Sequence, residues 1–257
     1  MKKVIYVVSL ADETTRKANF DNQAKNSGFE FEYIDAVDLR SVDSDDLINF
    51  TSSTQQGTIK RILTKGEVGC ALSHFKCYQK LLTDNANWAW IIEDDADLER
   101  LKPDSIENII SLVGEISADV VILGYSKLAK DDESLFYHFE PLKSMANGRD
   151  FSLGKPWKNW TCGTVSYLIS QAGAKKMLDF FADGKVVTVA DDWRFFEEMV
   201  GINIVHCRPL VVFEDFLNFQ SALEPERAQV LKRKVDFLDT VRVLRGYLRM
   251  LLMRLMP

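Results

Sequence analysis

The chain has 257 residues, 46% of them hydrophobic and 27% charged, with a formal net charge of −6. That composition supplies ample material for a core and allows one large α/β domain or two small ones. No stretch approaches the ~20 consecutive apolar residues needed to cross a bilayer, and no internal repeat, low-complexity tract or long Pro/Gly/Ser linker interrupts the pattern.

Val4 to Leu10 reads as a first strand rather than a signal peptide, because its apolar core is short and Asp12-Glu13 follow at once. Thr14 to Ser27 has helical composition and Gly28 stops it; Phe29 to Val37 alternates and reads as a second strand. Strand, helix, strand is a βαβ opening, which favours a parallel sheet with a right-handed crossover. Ligands bind beyond the carboxyl ends of such strands, so Ser9, Leu10, Arg16 and the stretch Asp35 to Asp38 are candidates for nucleotide contact.

Ser41 to Ile62 is polar, with a short helix predicted over Asp45 to Phe50 and a loop over Thr51 to Thr58. Thr64 and Glu67 then have the spacing of a capping box, and the small residues Gly66, Gly69, Cys70 and Ala71 suit a helix lying against another backbone. That helix runs to Thr83.

Trp88 to Ile92 is an apolar run that reads as a buried strand, and it ends in Glu93-Asp94-Asp95, with Asp97 two residues on. Adjacent carboxylates repel, so the arrangement costs free energy unless a cation or hydrogen bonds offset it. Carboxylate oxygens favour Mg²⁺ or Mn²⁺, usually with substrate phosphates completing the shell. The plain alternative is a solvated acidic turn before the next helix.

Three ordered sequence blocks make the reading specific. Gly66-Glu67-Val68-Gly69-Cys70-Ala71-Leu72-Ser73-His74, followed about twenty residues later by Ile91-Ile92-Glu93-Asp94-Asp95, resembles glycosyltransferase family 25, the bacterial lipooligosaccharide galactosyltransferases and their relatives. Cys162 to Ser170 with Gly173-Ala174 resembles that family's later block. The resemblance implies a GT-A-like fold of Rossmann type, with a mixed, mainly parallel sheet flanked by helices. It also implies a UDP-sugar donor, a Mn²⁺ or Mg²⁺ cofactor, and transfer with inversion to give a β-linkage. Glu93-x-Asp95 matches the family's Asp-x-Asp spacing, with Glu at the first place. The resemblance thus makes Asp95 and Glu93 metal ligands, Glu93 also a donor contact, and Asp94 a supporting nucleotide-side residue.

Further along, Pro103 to Ile116 reads as a helix, Asp119 to Gly124 as a strand, and Ala129 to Asp150 as a loop or hairpin. Trp157 and Trp160 flank two polar residues and, with Thr164 in the later block, are candidates for acceptor binding; ordinary packing is the alternative for the tryptophans. Gly163 to Ser170 is a predicted strand and Ala172 to Ala182 an amphipathic helix. Asp191-Asp192-Trp193 begins another helix, where an acid caps free amides. By resemblance to the GT-A helix that carries the catalytic base, Asp192 is the expected base and Asp191 the second choice. Ile202 to Val205 and Leu210 to Phe213 are strand-like, the latter closing on Glu214-Asp215; His206 reads as a structural histidine.

Residues 1–224 therefore form the expected transferase domain and residues 225–257 a basic amphipathic helix. From Glu226 onward the charge is +5, leaving −11 on the body. Val241, Leu244, Leu248, Leu251, Leu252 and Leu255 share one helical face, with Arg242, Arg245 and Arg249 beside it. This is the pattern of an interfacial helix on anionic lipid, and it places the protein in the cytoplasm at the inner face of the membrane. Docking of the Leu face on the body, or on a second copy in a homodimer, is the alternative. A nucleic-acid partner does not fit an acidic body. Cys70, Cys77, Cys162 and Cys207 lack zinc or disulfide spacing and read as free thiols. The expected function is transfer of a hexose, galactose from UDP-galactose first, to a lipooligosaccharide acceptor. The rival classes are a metal-dependent phosphohydrolase or nucleotidyltransferase, and a non-catalytic lectin-like protein.

Overall fold

The computed structural model describes residues 2–43, 45–52, 57–216, 218–219 and 237–255. The part of the expected C-terminal helix before Phe237, and residues 53–56 of the loop over Thr51 to Thr58, lie outside these residues.

The β-branched and aromatic runs form the centre of an eight-stranded sheet. β1 (Lys3–Ser9) pairs in parallel with β2 (Glu32–Asp35) on one side and β3 (Trp88–Glu93) on the other. β8 (Ser166–Ser170) then inserts antiparallel between β3 and β5 (Val120–Ile122). β9 (Ile204–Arg208) runs parallel to β5, and the antiparallel β7 (Ser152–Pro156) and β6 (Leu142–Asn147) finish the sheet. Only β8 and β7 run against the other six, so the expected mixed, mainly parallel sheet is present.

Both faces are covered. Along β3, Ala89 and Ile91 pack under α2 (Lys65–Thr83) and α5 (Gln171–Phe180), while Trp88, Trp90 and Ile92 pack under α1 (Thr14–Ser27) and α3 (Ser105–Val113). A strand buried on both faces reads as a continuous apolar run, and that is how this stretch reads.

The predicted capping box of α2 is present: Thr64 Oγ1 accepts from the Glu67 amide at 3.2 Å, and the Glu67 carboxylate accepts from the Thr64 amide at 2.9 Å. The small residues act as expected too. A Cβ on Gly69 would lie 2.5 Å from the Val37 carbonyl oxygen, so α2 can approach the loop after β2 only with glycine there. Ser73 Oγ, one turn on, accepts from the Val37 amide at 2.8 Å.

Three local expectations change. Ala129 to Asp150 holds a short helix, α4 (Glu133–Phe139), and one arm of the β6–β7 hairpin. β8 begins at Ser166, not Gly163, because Gly163 has φ +85° and its Cβ position is filled by Ser126. Of the Leu210–Phe213 run, only Phe213 pairs, in the two-residue β10 (Phe213–Glu214) against β4 (Ala96–Asp97).

α7 (Phe237–Leu255) lies against α4 and β6. It docks through Gly246 and Met253, and a Cβ on Gly246 would fall 1.8 Å from the His138 carbonyl oxygen. Arg245 (3.1 Å) and Arg249 pair with Glu140. The Leu face is therefore not the docking face: Leu244, Leu248, Leu251 and Leu255 keep 54–74% of their surface exposed. The basic stripe expected to face lipid instead turns two of its arginines to the body.

Candidate active site

The parallel registers align Ser9 with Asp35 and Val8 with Glu93, so the carboxyl ends of β1, β2 and β3 share one edge. A trough of three adjoining cavities lies along it. The first, about 300 Å³, has Ser9, Leu10, Arg16, Val37, Asp38 and Glu93–Asp95 among its walls, with the first turn of α2 opposite. A helix N-terminus of this kind favours an anion. The second, about 260 Å³, continues past Cys70, Glu93 and Asp95 to Thr164, Asp191 and Glu214. The third, about 270 Å³, shares Lys127 and Cys162 with the second and is walled by Tyr125, Phe136 and Trp160.

The acids are positioned one by one. Asp94 accepts from Ser9 Oγ at 2.6 Å and from Arg16 at 3.2 Å. Asp95 Oδ2 accepts from the same guanidinium at 3.0 Å, while its buried Oδ1 has no hydrogen-bond partner. Glu93 Oε1 accepts from Thr164 Oγ1 at 2.5 Å and lies 3.6 Å from His74 Nε2. β10 brings up Glu214, whose carboxylate accepts from the Lys127 amide at 2.7 Å.

Burial, then the charges of Glu93 and Glu214, push the Asp95 carboxyl well above the usual carboxylate range, and Arg16 only partly opposes this. Burial also raises Glu214 and Asp191. Burial works against the Glu93 charge as well, but His74 and the Thr164 hydroxyl outweigh it and hold Glu93 below its ordinary value. The cluster thus brings Glu93, Asp94, Asp95 and Glu214 together with more carboxylate charge than Arg16 alone offsets. An unsatisfied buried oxygen among hard oxygen donors fits Mn²⁺ or Mg²⁺.

Of the residues singled out in the sequence, Ser9, Leu10, Arg16, Glu93, Asp94, Asp95, Thr164 and Asp191 come together in the trough. Asp38 stands at its rim, bonded to Arg40 at 2.7–3.0 Å, which pulls its carboxyl down to about 2. Asp35 does not join them: its side chain is exposed outside the trough. Trp160 lines the aromatic cavity and stacks on His206 at 4.9 Å, but Trp157 lines none of the three. Asp97 pairs with Lys130 at 2.6 Å, away from the other acids.

The two helix-start acids have opposite surroundings. Asp192 is fully buried and accepts from Thr58 (amide 2.8 Å, Oγ1 2.7 Å), Thr188 Oγ1 (2.6 Å) and the Phe195 amide (3.3 Å). It is the cap of α6 (Trp193–Phe195) and lines none of the three cavities. Asp191 is the acid that faces the middle cavity, its carboxylate steadied by the Gly163 amide at 2.8 Å. His206 is structural, as expected: it lies between Tyr125 (2.9 Å) and Asn159 (2.7 Å), and burial lowers it to about 3. Glu214, Cys70 and His74 had no role assigned from sequence. The same rule that found Glu93, an acid ending an apolar run, picks out Glu214.

An α/β sheet whose strand ends hold an acid cluster over a long trough defines a nucleotide-type ligand site. The family model "Glycosyltransferase family 25 (LPS biosynthesis protein)" matches residues 2–193, and the chain belongs to that family. A protein named "Putative glycosyltransferase" from Haemophilus influenzae is 27% identical over 251 residues, 92% of this chain and 82% of its own. A "Glycosyltransferase 25 family member" of Aedes aegypti is 29% identical over 180 residues, 68% of this chain but only 28% of its own length. Relatives differ in the activity their names carry. "Procollagen galactosyltransferase 1-B" of Xenopus laevis is 24% identical (72% of this chain, 29% of its own). "Inactive glycosyltransferase 25 family member 3" of Mus musculus is 25% identical (68% and 28%).

Proposed function

We propose that this protein is an inverting glycosyltransferase that moves a hexose, galactose from UDP-galactose, onto a lipooligosaccharide glycan in β-linkage. The observation that carries the reading is the convergence of Glu93, Asp95, Asp191 and Glu214 on the middle cavity, between a strand-end cavity and an aromatic one. The nucleotide lies in the first cavity, over Ser9, Leu10 and Val37, with its diphosphate toward the first turn of α2. Asp95 and Glu93, with Glu214 beside them, would hold Mn²⁺ or Mg²⁺, which when bound offsets the charge that develops on the leaving diphosphate.

Asp191 takes the proton from the attacking acceptor hydroxyl. Burial raises its pKa, which makes its carboxylate a stronger base, and the Gly163 amide fixes its direction. The acceptor sugar lies toward Trp160, where a ring can take a sugar's C–H face. The glycolipid acceptor brings the protein to the inner face of the cytoplasmic membrane, which the exposed Leu face of α7 contacts.

The test is release of UDP from UDP-galactose, UDP-glucose and UDP-N-acetylhexosamines by purified protein, with Mn²⁺ or EDTA and lactosyl or glucosyl acceptors. UDP release and product formation from one donor, dependent on Mn²⁺ and lost in Asp95→Asn, are expected. Acceptor-independent phosphate release would favour a hydrolase. The name of the mouse relative favours one second reading, a chain that keeps the fold without turnover, and no UDP release with any donor would support it.

A further inference from the structure

Cys70 and His74 stand one turn apart on α2 and face the end of β3. Cys70 Sγ, an imidazole nitrogen of His74 and a Glu93 carboxylate oxygen all lie within 4.8 Å of one another. His74 Nε2 is buried and has no hydrogen-bond partner, and its ring is held from the other side. Nδ1 is 2.7 Å from the Tyr167 hydroxyl, which is 2.9 Å from that of Tyr78. A ring anchored through one nitrogen, with the other turned toward a carboxylate, is the arrangement of a metal-ligating histidine. His74 Nε2 and Glu93 Oε1 are 3.6 Å apart. Two ligands with bonds of about 2.0–2.1 Å at a tetrahedral centre stand about 3.4 Å apart, so that edge of the coordination shell is already the right length.

We propose that Cys70, His74 and Glu93 form a Zn²⁺ site. A sulfur, an imidazole and a carboxylate are the donor set of zinc rather than of Mg²⁺, and three protein ligands leave the fourth position open to solvent. Cys70 and Glu93 line the first and second cavities, which gives the ion its entry path. The site adjoins the oxygen-only locus at Asp95 and shares Glu93 with it, but adds a sulfur and a nitrogen that the other locus lacks. It does not depend on the transferase reading, because occupancy is measured without turnover.

The experiment uses the full chain, stripped of metal and held reduced with a phosphine. Co²⁺ is added as an optical probe, and Zn²⁺ affinity is measured by competition with a chromophoric chelator. One equivalent of Co²⁺ should give a thiolate-to-cobalt charge-transfer band that Zn²⁺ abolishes. Cys70→Ser should lose the band, Cys162→Ser should keep it, and His74→Gln should weaken Zn²⁺ binding at least ten-fold. X-ray absorption at the zinc edge of the unmutated protein reads the shell without relying on any variant, and one sulfur among nitrogen and oxygen ligands is expected. Absence of the band in the unmutated protein, its persistence in Cys70→Ser, or a shell without sulfur would overturn the proposal.

Discussion

Asp191 and Asp192 are neighbours in sequence with opposite surroundings, and they separate chemistry from stability. Asp191→Asn removes the proposed base and leaves the Gly163 contact a side-chain oxygen, so kcat should fall by ~10²–10⁴ with little change in Tm. Asp192→Asn should do the reverse. It disturbs a fully buried acceptor of four hydrogen bonds, at a cost of about 2–3 kcal/mol in thermal or denaturant unfolding. Some loss of kcat should follow, because Asp192 also ties down Thr58, next to Ile59 in the wall of the middle cavity. The pH dependence follows from the direction of the shifts. A base with a raised pKa loses activity as pH falls through that value, so the acidic limb should lie above the range of an ordinary aspartate. For stability, the folded metal-free protein binds more protons at Asp95 and Asp191 than the unfolded chain does. Its stability should therefore decline as pH rises from the ordinary carboxylate range through the raised pKa values. Asp95→Asn relieves the repulsion among Glu93, Asp95 and Glu214. It should raise the Tm of EDTA-treated protein by about 2–4 °C, the shift expected for ~1 kcal/mol, while abolishing stabilisation by Mn²⁺.

At the scale of elements, α7 offers a test in which two known effects oppose. Gly246→Ala gains about 0.5–1 kcal/mol of helix propensity, but its Cβ falls on the His138 carbonyl oxygen, a backbone atom that cannot swing away. Overpacking of ~1–3 kcal/mol should win, and hydrogen exchange should report faster opening of α7 and α4 than in the unmutated protein. The same helix shows where a sequence stops being informative. Its amphipathic wheel was legible, but an apolar face reads alike whether it meets the body or points outward. The docking face was instead set by one glycine and by Glu140, a partner about a hundred residues away in the chain. Strands β1, β3, β5 and β9 and the cap of α2 were legible because local pattern decides them. Glu93, Asp94 and Asp95 were legible as an acid run after an apolar one. The roles of Asp191 and Asp192 were not, since either acid could cap a helix by local rules, and only Thr58 and Thr188 decide which is enclosed. Glu214 reaches the cluster through β10, a pairing across more than a hundred residues that no local signal announces.

For the whole molecule, the exposed face of α7 lets the proposed membrane contact be separated from electrostatics. With Arg245 and Arg249 paired to Glu140, vesicle binding should rest mainly on Leu244, Leu248, Leu251 and Leu255. Each leucine fully buried contributes about 1.5–3 kcal/mol. Replacing Leu248 and Leu251 together with serine should therefore lower co-sedimentation with anionic vesicles at least ten-fold. Raising the ionic strength should do less than it does for helices that bind through free arginines. A concentration-dependent dimer that the same double substitution dissolves, with no vesicle binding, would assign the face to a second copy instead.

One strand laid against the grain shapes what a visitor to the trough would meet. β8 runs opposite to β3 and β5, so at the edge where its neighbours deliver their ends it delivers its beginning. The segment entering it, Trp160 to Val165, thereby spans the trough from the aromatic cavity to Glu93 within six consecutive residues. The proposed donor side is assembled from the ends of three separate strands and the start of α2. In the proposed transfer, substitution at the Trp160 end of this segment would change what is received, while Gly163 and Thr164 at its other end keep Asp191 and Glu93 where they stand.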